Sequence, residues 1–327
     1  MLRTTVLLTA TASAALLSLA ACGSNSDPLA TSSSSAAGST SSSGSASAGA
    51  SAGASGGGGG KGSIIVGSAN FPENALIAEI YAGALKAKGV QVSKKLNIGS
   101  REAYIPALKD GSIDLIPEYT GNLALYFNKN AKAASSAGVY AELKAALPSG
   151  LAVLDKSAAE DKDAVVVTKA TATKNSLKSI GDLAPVAKSL NLGGPPEWKT
   201  RANGVPGLKK VYGLNFKSFR ALDTGGPLTV QALKNGQVDA ADLFTTDPSI
   251  AANSFVILQD PRNLYAAQNV VPLVNKAKSN TAVASALNAV SAKLDTATLG
   301  QLVKEVVVDK KDASAVAKEF LSKSGLG

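Results

Sequence analysis

The sequence predicts an α/β protein of two lobes, each a mainly parallel sheet flanked by helices. From residue 63 onward, short apolar segments of strand length alternate with amphipathic segments of helix length. This alternation is typical of parallel sheets with crossover helices. In addition, residues 110–121 and 235–247 repeat one order of features: a turn glycine, an aspartate-bearing strand, an aromatic residue and threonine. The repetition predicts two lobes of related build.

The central strand of the first half is predicted at residues 112–116. Pro117 should end it, because proline cannot donate to a sheet ladder. Tyr119 follows, and Thr120 is placed to cap a helix predicted at residues 122–127. A strand that ends in polar and aromatic groups at a helix N terminus is the usual ligand corner of an open α/β sheet. The alternative is that Tyr119 is a half-buried core residue and Thr120 only a cap.

Proline and glycine mark the other element boundaries. Pro72 is predicted to open the first helix, which ends at Gly89, and Ser100 to cap the second helix. Apolar segments predict further strands at residues 64–66, 90–98, 151–154, 164–167, 190–192, 216–222, 238–244, 255–258 and 270–274. Helical periodicity predicts helices at residues 141–147, 207–213, 227–234, 281–294, 299–308 and 313–321.

The first 62 residues have a different character. Residues 1–22 carry one early charge, then an uncharged apolar run and small residues before Cys22. This order describes a secretory signal peptide, whereas a transmembrane helix needs about 20 apolar residues. Residues 23–62 are almost wholly serine, alanine and glycine. Such a segment cannot bury enough apolar surface to become ordered, so we expect a flexible tether.

Composition excludes several classes of function. The chain has 33 basic and 24 acidic residues, a net charge of +9, but the lysines are scattered and form no dense run, which argues against a nucleic-acid partner. The 327 residues include no histidine and a single cysteine, so Ser–His, Cys–His and His-ligated metal chemistry are excluded. Our prediction of no cofactor, no metal and no enzymatic activity rests in addition on the resemblance described below. An enzyme alternative would need carboxyl groups such as Glu118 and Asp247 as acid and base.

Five segments carry a resemblance to a known family. They are residues 66–73 (VGSANFPE), 114–121 (DLIPEYTG), 193–201 (GGPPEWKTR), 243–247 (LFTTD) and 269–272 (NVVP). In this order the sequence resembles the substrate-binding lipoproteins of ABC importers for glycine betaine, choline and related osmoprotectants. The resemblance implies a type II periplasmic-binding-protein fold with two hinge crossings, near residues 161–164 and near Gln268. Residues 63–162 and 269–327 would form the first lobe, and residues 163–268 the second.

The resemblance extends to the N terminus. The segment Leu19-Ala-Ala-Cys22 resembles a bacterial lipobox, which implies that Cys22 becomes a lipidated N terminus. The protein would then be a lipid-anchored monomer at the extracytoplasmic face of the cell membrane, with an ABC permease as its partner. The alternative is an ordinary signal peptide with a chance cysteine.

The family commonly holds a trimethylammonium group between aromatic faces, because ring quadrupoles attract cations. Position by position, Tyr119 and Phe244 keep two walls of such a cage. Asp163 and Gln268 stand where many relatives have tyrosines, so two walls are expected to be polar. We therefore expect glycine betaine itself to bind weakly.

Three further residues complete the predicted ligand site. Arg201 aligns with an arginine that grips a ligand carboxylate, with a helix-capping surface arginine as the alternative. Asn122 stands where relatives often have threonine, and Thr245 lies in the LFTTD segment. Trp198 either lines the cleft or packs beneath the glycine-proline loop.

The resulting hypothesis is a solute receptor that captures an osmoprotectant-like solute of the glycine betaine, choline and carnitine class. A polyol, sugar or phenolic ligand remains an alternative because of the polar groups at Asp163 and Gln268. A second alternative is a cell-wall lipoprotein without a role in transport.

Overall fold

The structure, a computed structural model, describes residues 63–327, which belong to one compact unit. The predicted signal peptide and tether, together with Cys22, lie outside the described residues. The strands are β1 (Ile64–Gly67), β2 (Val92–Lys95), β3 (Leu115–Tyr119), β4 (Leu151–Val153), β5 (Asp163–Val167), β6 (Asn191–Gly194), β7 (Ser218–Ala221), β8 (Ala240–Phe244), β9 (Val256–Ile257) and β10 (Val270–Asn275).

Most of the α-helices correspond to predicted ones, but two short helices, Lys169–Lys174 and Pro248–Ala252, were not predicted. The α-helices are α1 (Pro72–Ala87), α2 (Arg101–Lys109), α3 (Thr120–Phe127), α4 (Ser136–Ala146), α5 (Lys169–Lys174), α6 (Val205–Tyr212), α7 (Pro227–Lys234), α8 (Pro248–Ala252), α9 (Thr281–Ser291), α10 (Thr296–Val307) and α11 (Ala313–Lys323). Within residues 63–327, no helix is long and apolar enough to cross a membrane.

The strands form two five-stranded sheets of the same design. The first has the order β2-β1-β3-β10-β4, and the second has the order β7-β6-β8-β5-β9. In each sheet the strand in fourth position, β10 or β5, is antiparallel to both neighbours, while the other four strands run in one direction. Each sheet is therefore mainly parallel, as predicted, with one reversed strand.

Helices cover the sheets and bury their apolar faces. Helix α1 has proline at its first turn, where a missing N–H costs nothing, and buries Leu76, Ile77, Ile80 and Tyr81. These residues belong to a core cluster that also includes residues of α9, α10 and α11. The C-terminal helices thus complete the core above the first sheet.

Pro117 does not end the central strand, contrary to the prediction. Strand β3 continues to Tyr119, and Pro117 faces Pro272 of the antiparallel strand β10. In an antiparallel ladder only alternate facing pairs exchange hydrogen bonds, and two prolines can share a position that needs none. The strand therefore extends three residues beyond its predicted end at Ile116, to Tyr119 at the edge of the cleft.

Neither predicted side-chain cap is observed. Thr120 is the first residue of α3, and its Oγ1 donates to the Ala267 carbonyl at 3.2 Å and accepts from the Asn269 backbone N–H at 3.0 Å. Ser100 precedes α2, but its hydroxyl donates to Glu102 at 2.6 Å. Thr120 therefore joins the end of β3 to the returning chain instead of capping a helix.

The chain passes from the first sheet to the second between β4 and β5, and returns between β9 and β10. The two passages lie side by side. The backbone N–H of Asp161 donates to the Gln268 carbonyl at 3.1 Å, and Glu160 and Asn269 form an antiparallel bridge. This pairing lies where the two hinge crossings were predicted.

Candidate functional site

A cavity lies where the C-terminal ends of β3 and β8 meet, and we call it the interlobe cavity. It offers about 40 Å³ to the centres of water molecules, enough for a few waters. Its lining includes five of the seven predicted ligand residues: Tyr119, Asn122, Asp163, Arg201 and Phe244. The remaining lining residues are Ala69, Asn70, Phe71, Gly99, Ser100, Arg101, Tyr104, Asp161, Pro195, Glu197, Thr224 and Asp242.

The other two predicted residues lie behind this lining. Gln268 is 1% exposed, and its Nε2 donates to Asn122 Oδ1 at 2.6 Å while its Oε1 accepts from the Asn122 backbone N–H at 2.9 Å. Thr245 is exposed and donates to Asp161 Oδ1 at 3.2 Å. Both residues position groups of the cavity wall, and direct ligand contact by either stays a prediction.

Aromatic rings from both sheets form one face of the cavity. The ring of Phe71 lies between Tyr119, at a centroid distance of 6.0 Å, and Phe244, at 5.2 Å, with interplanar angles of 31° in both pairs. Sequence reasoning missed Phe71 as a site residue, although it belongs to the VGSANFPE segment. Phe71 joins the two predicted cage walls into one aromatic cluster.

Amide groups hold the carboxylate of Asp163 in place. Nδ2 of Asn122 donates to Asp163 Oδ2 at 2.7 Å, and Nδ2 of Asn203 lies 3.2 Å from the same oxygen and 2.9 Å from Asn122 Oδ1. Asn122 belongs to the first lobe, whereas Asp163 and Asn203 belong to the second. The network therefore connects the two lobes along a polar edge of the cavity, and Asn203 is a member that the sequence did not indicate.

The carboxylate of Glu118 is buried and fully engaged. It accepts hydrogen bonds from Arg101 Nε at 2.9 Å and Nη2 at 2.7 Å, from the Tyr104 hydroxyl at 2.6 Å and from the Tyr119 backbone N–H at 2.9 Å. Burial alone would lower the pKa of Arg101, but the adjacent Glu118 carboxylate raises it, so the guanidinium stays charged. Four donors occupy both oxygens of Glu118. The interaction fixes the backbone of Tyr119.

Two further carboxyl groups, Glu73 and Asp161, lie beside the aromatic face. Glu73 accepts from the Tyr119 hydroxyl at 2.7 Å and from the Thr246 hydroxyl at 2.5 Å, and Asp161 accepts from the Thr246 backbone N–H at 3.0 Å. Burial raises the pKa of both carboxyls, and the nearby Glu73 raises the pKa of Asp161 further. Because Glu73 belongs to α1 and Thr246 follows β8, their hydrogen bond joins the lobes.

Arg201 lies at the cavity but already has a carboxylate partner. Its Nε and Nη2 donate to Glu102 at 3.3 and 2.8 Å across the two lobes. Partial burial would raise the pKa of Glu102, but the hydrogen bonds from Arg201 and Ser100 lower it to about 2. The pairing engages two of the five N–H donors of the guanidinium group. Trp198, by contrast, is 1% exposed within the core of the second lobe and does not line the cavity.

The charges around the cavity favour a cation. Asp161, Asp163, Asp242 and Glu197 line it, whereas the two lining arginines are paired with Glu118 and Glu102. Aromatic faces beside carboxyl groups that form no ion pair suit an organic cation, which binds through its charge and its apolar surface together. In the part of the chain that the structure describes, no group of three or more acidic or sulfur ligands has the arrangement of a metal site.

Comparison with known proteins agrees with this geometry. Residues 62–323 match the family described as the substrate-binding domain of ABC-type glycine betaine transport systems. The glycine betaine-binding protein YehZ of Escherichia coli (strain K12) is 29% identical over 274 residues, covering 80% of this chain and 90% of that protein. A glycine-betaine-binding protein of Pseudomonas aeruginosa is 26% identical, covering 78% of this chain and 86% of that protein.

A solved structure confirms the fold. The crystal structure of a glycine betaine/carnitine/choline ABC transporter superposes with a TM-score of 0.63 at 23% identity, covering 80% of this chain and 99% of that chain. The shared fold is the type II periplasmic-binding-protein fold that the sequence predicted. Since the family match spans most of the chain, this protein belongs to the family of substrate-binding domains of ABC-type glycine betaine transport systems.

Proposed function

We propose that this protein is the extracytoplasmic receptor of an ABC importer, without enzymatic activity of its own. It captures a small quaternary ammonium solute between its two lobes and delivers the solute to a permease. The observation that carries the proposal is the aromatic cluster of Phe71, Tyr119 and Phe244, which spans both lobes beside the carboxyl groups of Asp161 and Asp163. The ligands named for the family and for its relatives support this class of solute.

The proposal includes the mode of binding. The trimethylammonium group lies against the three rings, and the amide-held Asp163 provides a nearby negative charge. The hydrogen bonds from Thr246 to Glu73 and from Arg201 to Glu102 join the lobes over the bound solute. Cys22 provides the lipid anchor, and the protein works as a monomer.

Calorimetric titration with choline, L-carnitine and glycine betaine tests the binding function. Each desolvated ring contributes about 0.5–2 kcal/mol to cation binding, so Phe71→Leu should weaken affinity about 2- to 30-fold while keeping an apolar side chain. Phe127→Leu is the matched control, because Phe127 does not line the cavity. If the parent protein binds none of these solutes, the proposal is wrong. A polyol, sugar and phenol series in the same titration tests the uncharged alternative.

The anchor is tested separately in cells. Cys22→Ser removes the sulfur that carries the lipid, so the variant should appear in the medium while the parent protein stays with the membrane fraction. Retention of both proteins on the membrane would contradict lipidation at Cys22.

A further inference from the structure

Asp242 is a buried carboxyl group without a full set of partners. It is 1% exposed and lines the interlobe cavity, and its Oδ1 has no hydrogen-bond partner within residues 63–327. An unsatisfied buried acceptor is costly, so a native structure that retains one calls for an explanation. A bound solute that donates a hydrogen bond would satisfy this oxygen.

The strand geometry explains why Asp242 points into the cavity. Asp242 and Phe244 are two residues apart on β8, so their side chains leave the same face of the sheet. Next to Asp242 on the second sheet lies Gly194 of β6, where an added Cβ would lie 3.3 Å from Asp242 Cβ and 3.0 Å from the Trp198 ring. The neighbouring strand therefore has neither the side chain nor the space to supply a donor.

Two other acidic residues of the wall, Asp163 and Asp161, differ from Asp242 in having partners. Asp163 accepts from two amide groups, and Asp161 accepts from the backbone N–H of Thr246. The charged groups that act on Asp242 are Asp163 on β5, Asp161 on the crossing and Arg201 after β6. Burial first, and then the negative charge of Asp163, raise the pKa of Asp242, while Arg201 lowers it. A hydrogen-bond donor or a positive charge brought by a solute would offset the free-energy cost of burying the ionised Asp242 carboxylate.

We propose that Asp242 determines which quaternary ammonium solutes are bound, by accepting a hydrogen bond from a hydroxyl group of the solute. This inference rests on the proposed function and names the solute class more narrowly. A trimethylammonium group has no N–H, and glycine betaine has no donor, so it would leave Asp242 unsatisfied. A hydroxylated cation offers both the charge for the aromatic face and the donor for Asp242.

The test uses pairs of solutes that differ only by the hydroxyl. L-Carnitine is compared with γ-butyrobetaine, and choline with ethyltrimethylammonium, by calorimetric titration of the full chain. We expect the parent protein to prefer the hydroxylated member of at least one pair by about 5- to 150-fold, the range for leaving a buried acceptor unpaired. Asp242→Leu should reduce that preference to about 2-fold or less, because leucine has the same branching pattern at Cγ, although it is larger, and has no acceptor.

Two further variants separate selection from folding. Asp242→Asn keeps an acceptor oxygen and should retain most of the preference, and it provides the comparison if the leucine variant does not fold. Asp155→Asn, at an exposed position away from the cavity, is the control for loss of one negative charge. Equal binding within both solute pairs by the parent, or a preference that persists in Asp242→Leu, overturns the role of Asp242 and leaves the proposed function intact. Failure of all four solutes to bind overturns both proposals.

Discussion

Strands β3 and β8 occupy the same third position in their sheets, and each ends in an aromatic residue at the cavity, Tyr119 or Phe244. Each also carries a buried carboxyl group. Glu118 on β3 accepts four hydrogen bonds, whereas Asp242 on β8 has an oxygen without a partner. The two strands therefore differ in build: Glu118 directly precedes Tyr119, whereas Asp242 lies two residues before Phe244 and leaves the same face of its sheet as that ring. The carboxyl group of Glu118 has its partners within the protein, whereas we propose that a solute supplies the missing partner of Asp242.

The largest expected effect comes from removing the charged partner of the β3 carboxylate, so that Glu118, like Asp242, lacks a full set of partners. Arg101→Met removes the charged partner of Glu118 and leaves a buried carboxylate uncompensated. Breaking a buried ion pair in this way costs about 3–5 kcal/mol, which urea denaturation at pH 7 would measure.

Two controls accompany this variant. Arg220→Met removes an exposed arginine and should change the unfolding free energy by less than about 0.5 kcal/mol. The double change Arg101→Met with Glu118→Gln should recover part of the loss, because the uncompensated charge is gone. If Arg101→Met alone lowers the unfolding free energy by less than about 1 kcal/mol, the ion pair with Arg101 does not stabilise the buried Glu118 carboxylate.

An intermediate effect is expected from neutralising Asp242. The folded-state pKa of this carboxyl is raised by burial, so its contribution to stability is present at low pH and is lost as the pH rises through that pKa. Asparagine does not titrate. Asp242→Asn should therefore be more stable than the parent protein at pH 8, by about 1–3 kcal/mol, with a smaller difference at pH 5.

Urea denaturation of both proteins at the two pH values, without solute, measures this difference. Glu73 also has a raised pKa, but it titrates in both proteins and cancels in the comparison, whereas Asp161 interacts with Asp242, so the measured difference includes that interaction. A variant less stable than the parent at both pH values would mean that Asp242 is satisfied in the free protein.

The smallest effect on the unfolding free energy is expected at the partly exposed ion pair between Glu102 and Arg201, which joins the two lobes. Glu102→Gln weakens the half-exposed contact with Arg201 and should cost about 0.2–1 kcal/mol, less at high salt. Since the pKa of Glu102 is lowered to about 2, the contribution of the pair is present above pH 4.5 and is lost as the pH falls towards 2. Thermal unfolding at pH 7 in low and high salt is the measurement, and an effect as large as that of Arg101→Met would contradict the contrast between the two arginines.

Much of the fold was predictable because it depends on local patterns. Helix α7 begins at Pro227 and ends at Lys234, as the proline and the helical periodicity predict, and α1 likewise begins at Pro72. The sequence predicts that β3 ends before Pro117, because the facing Pro272, which makes a proline tolerable there, lies more than 150 positions away. Pairings between distant residues leave no local signal, so sequence alone could not place the true end of this strand.

The site was predictable where one side chain points into the cavity from a strand or helix end. Tyr119, Asn122, Asp163, Arg201 and Phe244 all line it. The partnerships were not predictable, because they depend on how the lobes meet. Thus Arg201 is paired with Glu102, Gln268 supports Asn122 from behind, and Phe71 joins the aromatic cluster from a loop. The sequence predicts only that Asp242 lies in a strand, because the lack of a hydrogen-bond partner for its Oδ1 is visible only in the three-dimensional structure.

The position of β10 has a consequence for the order in which the protein acquires its structure. This strand comes from residues 270–275, yet it lies between β3 and β4 in the first sheet. Until that segment has been synthesised and exported, β3 and β4 present unpaired edges, the kind of edge that promotes aggregation. The second sheet uses only residues 163–257, and a contiguous segment closes smaller loops. We therefore expect the middle of the chain to fold before its beginning, with the N-terminal strands awaiting a segment made some 150 residues after β3.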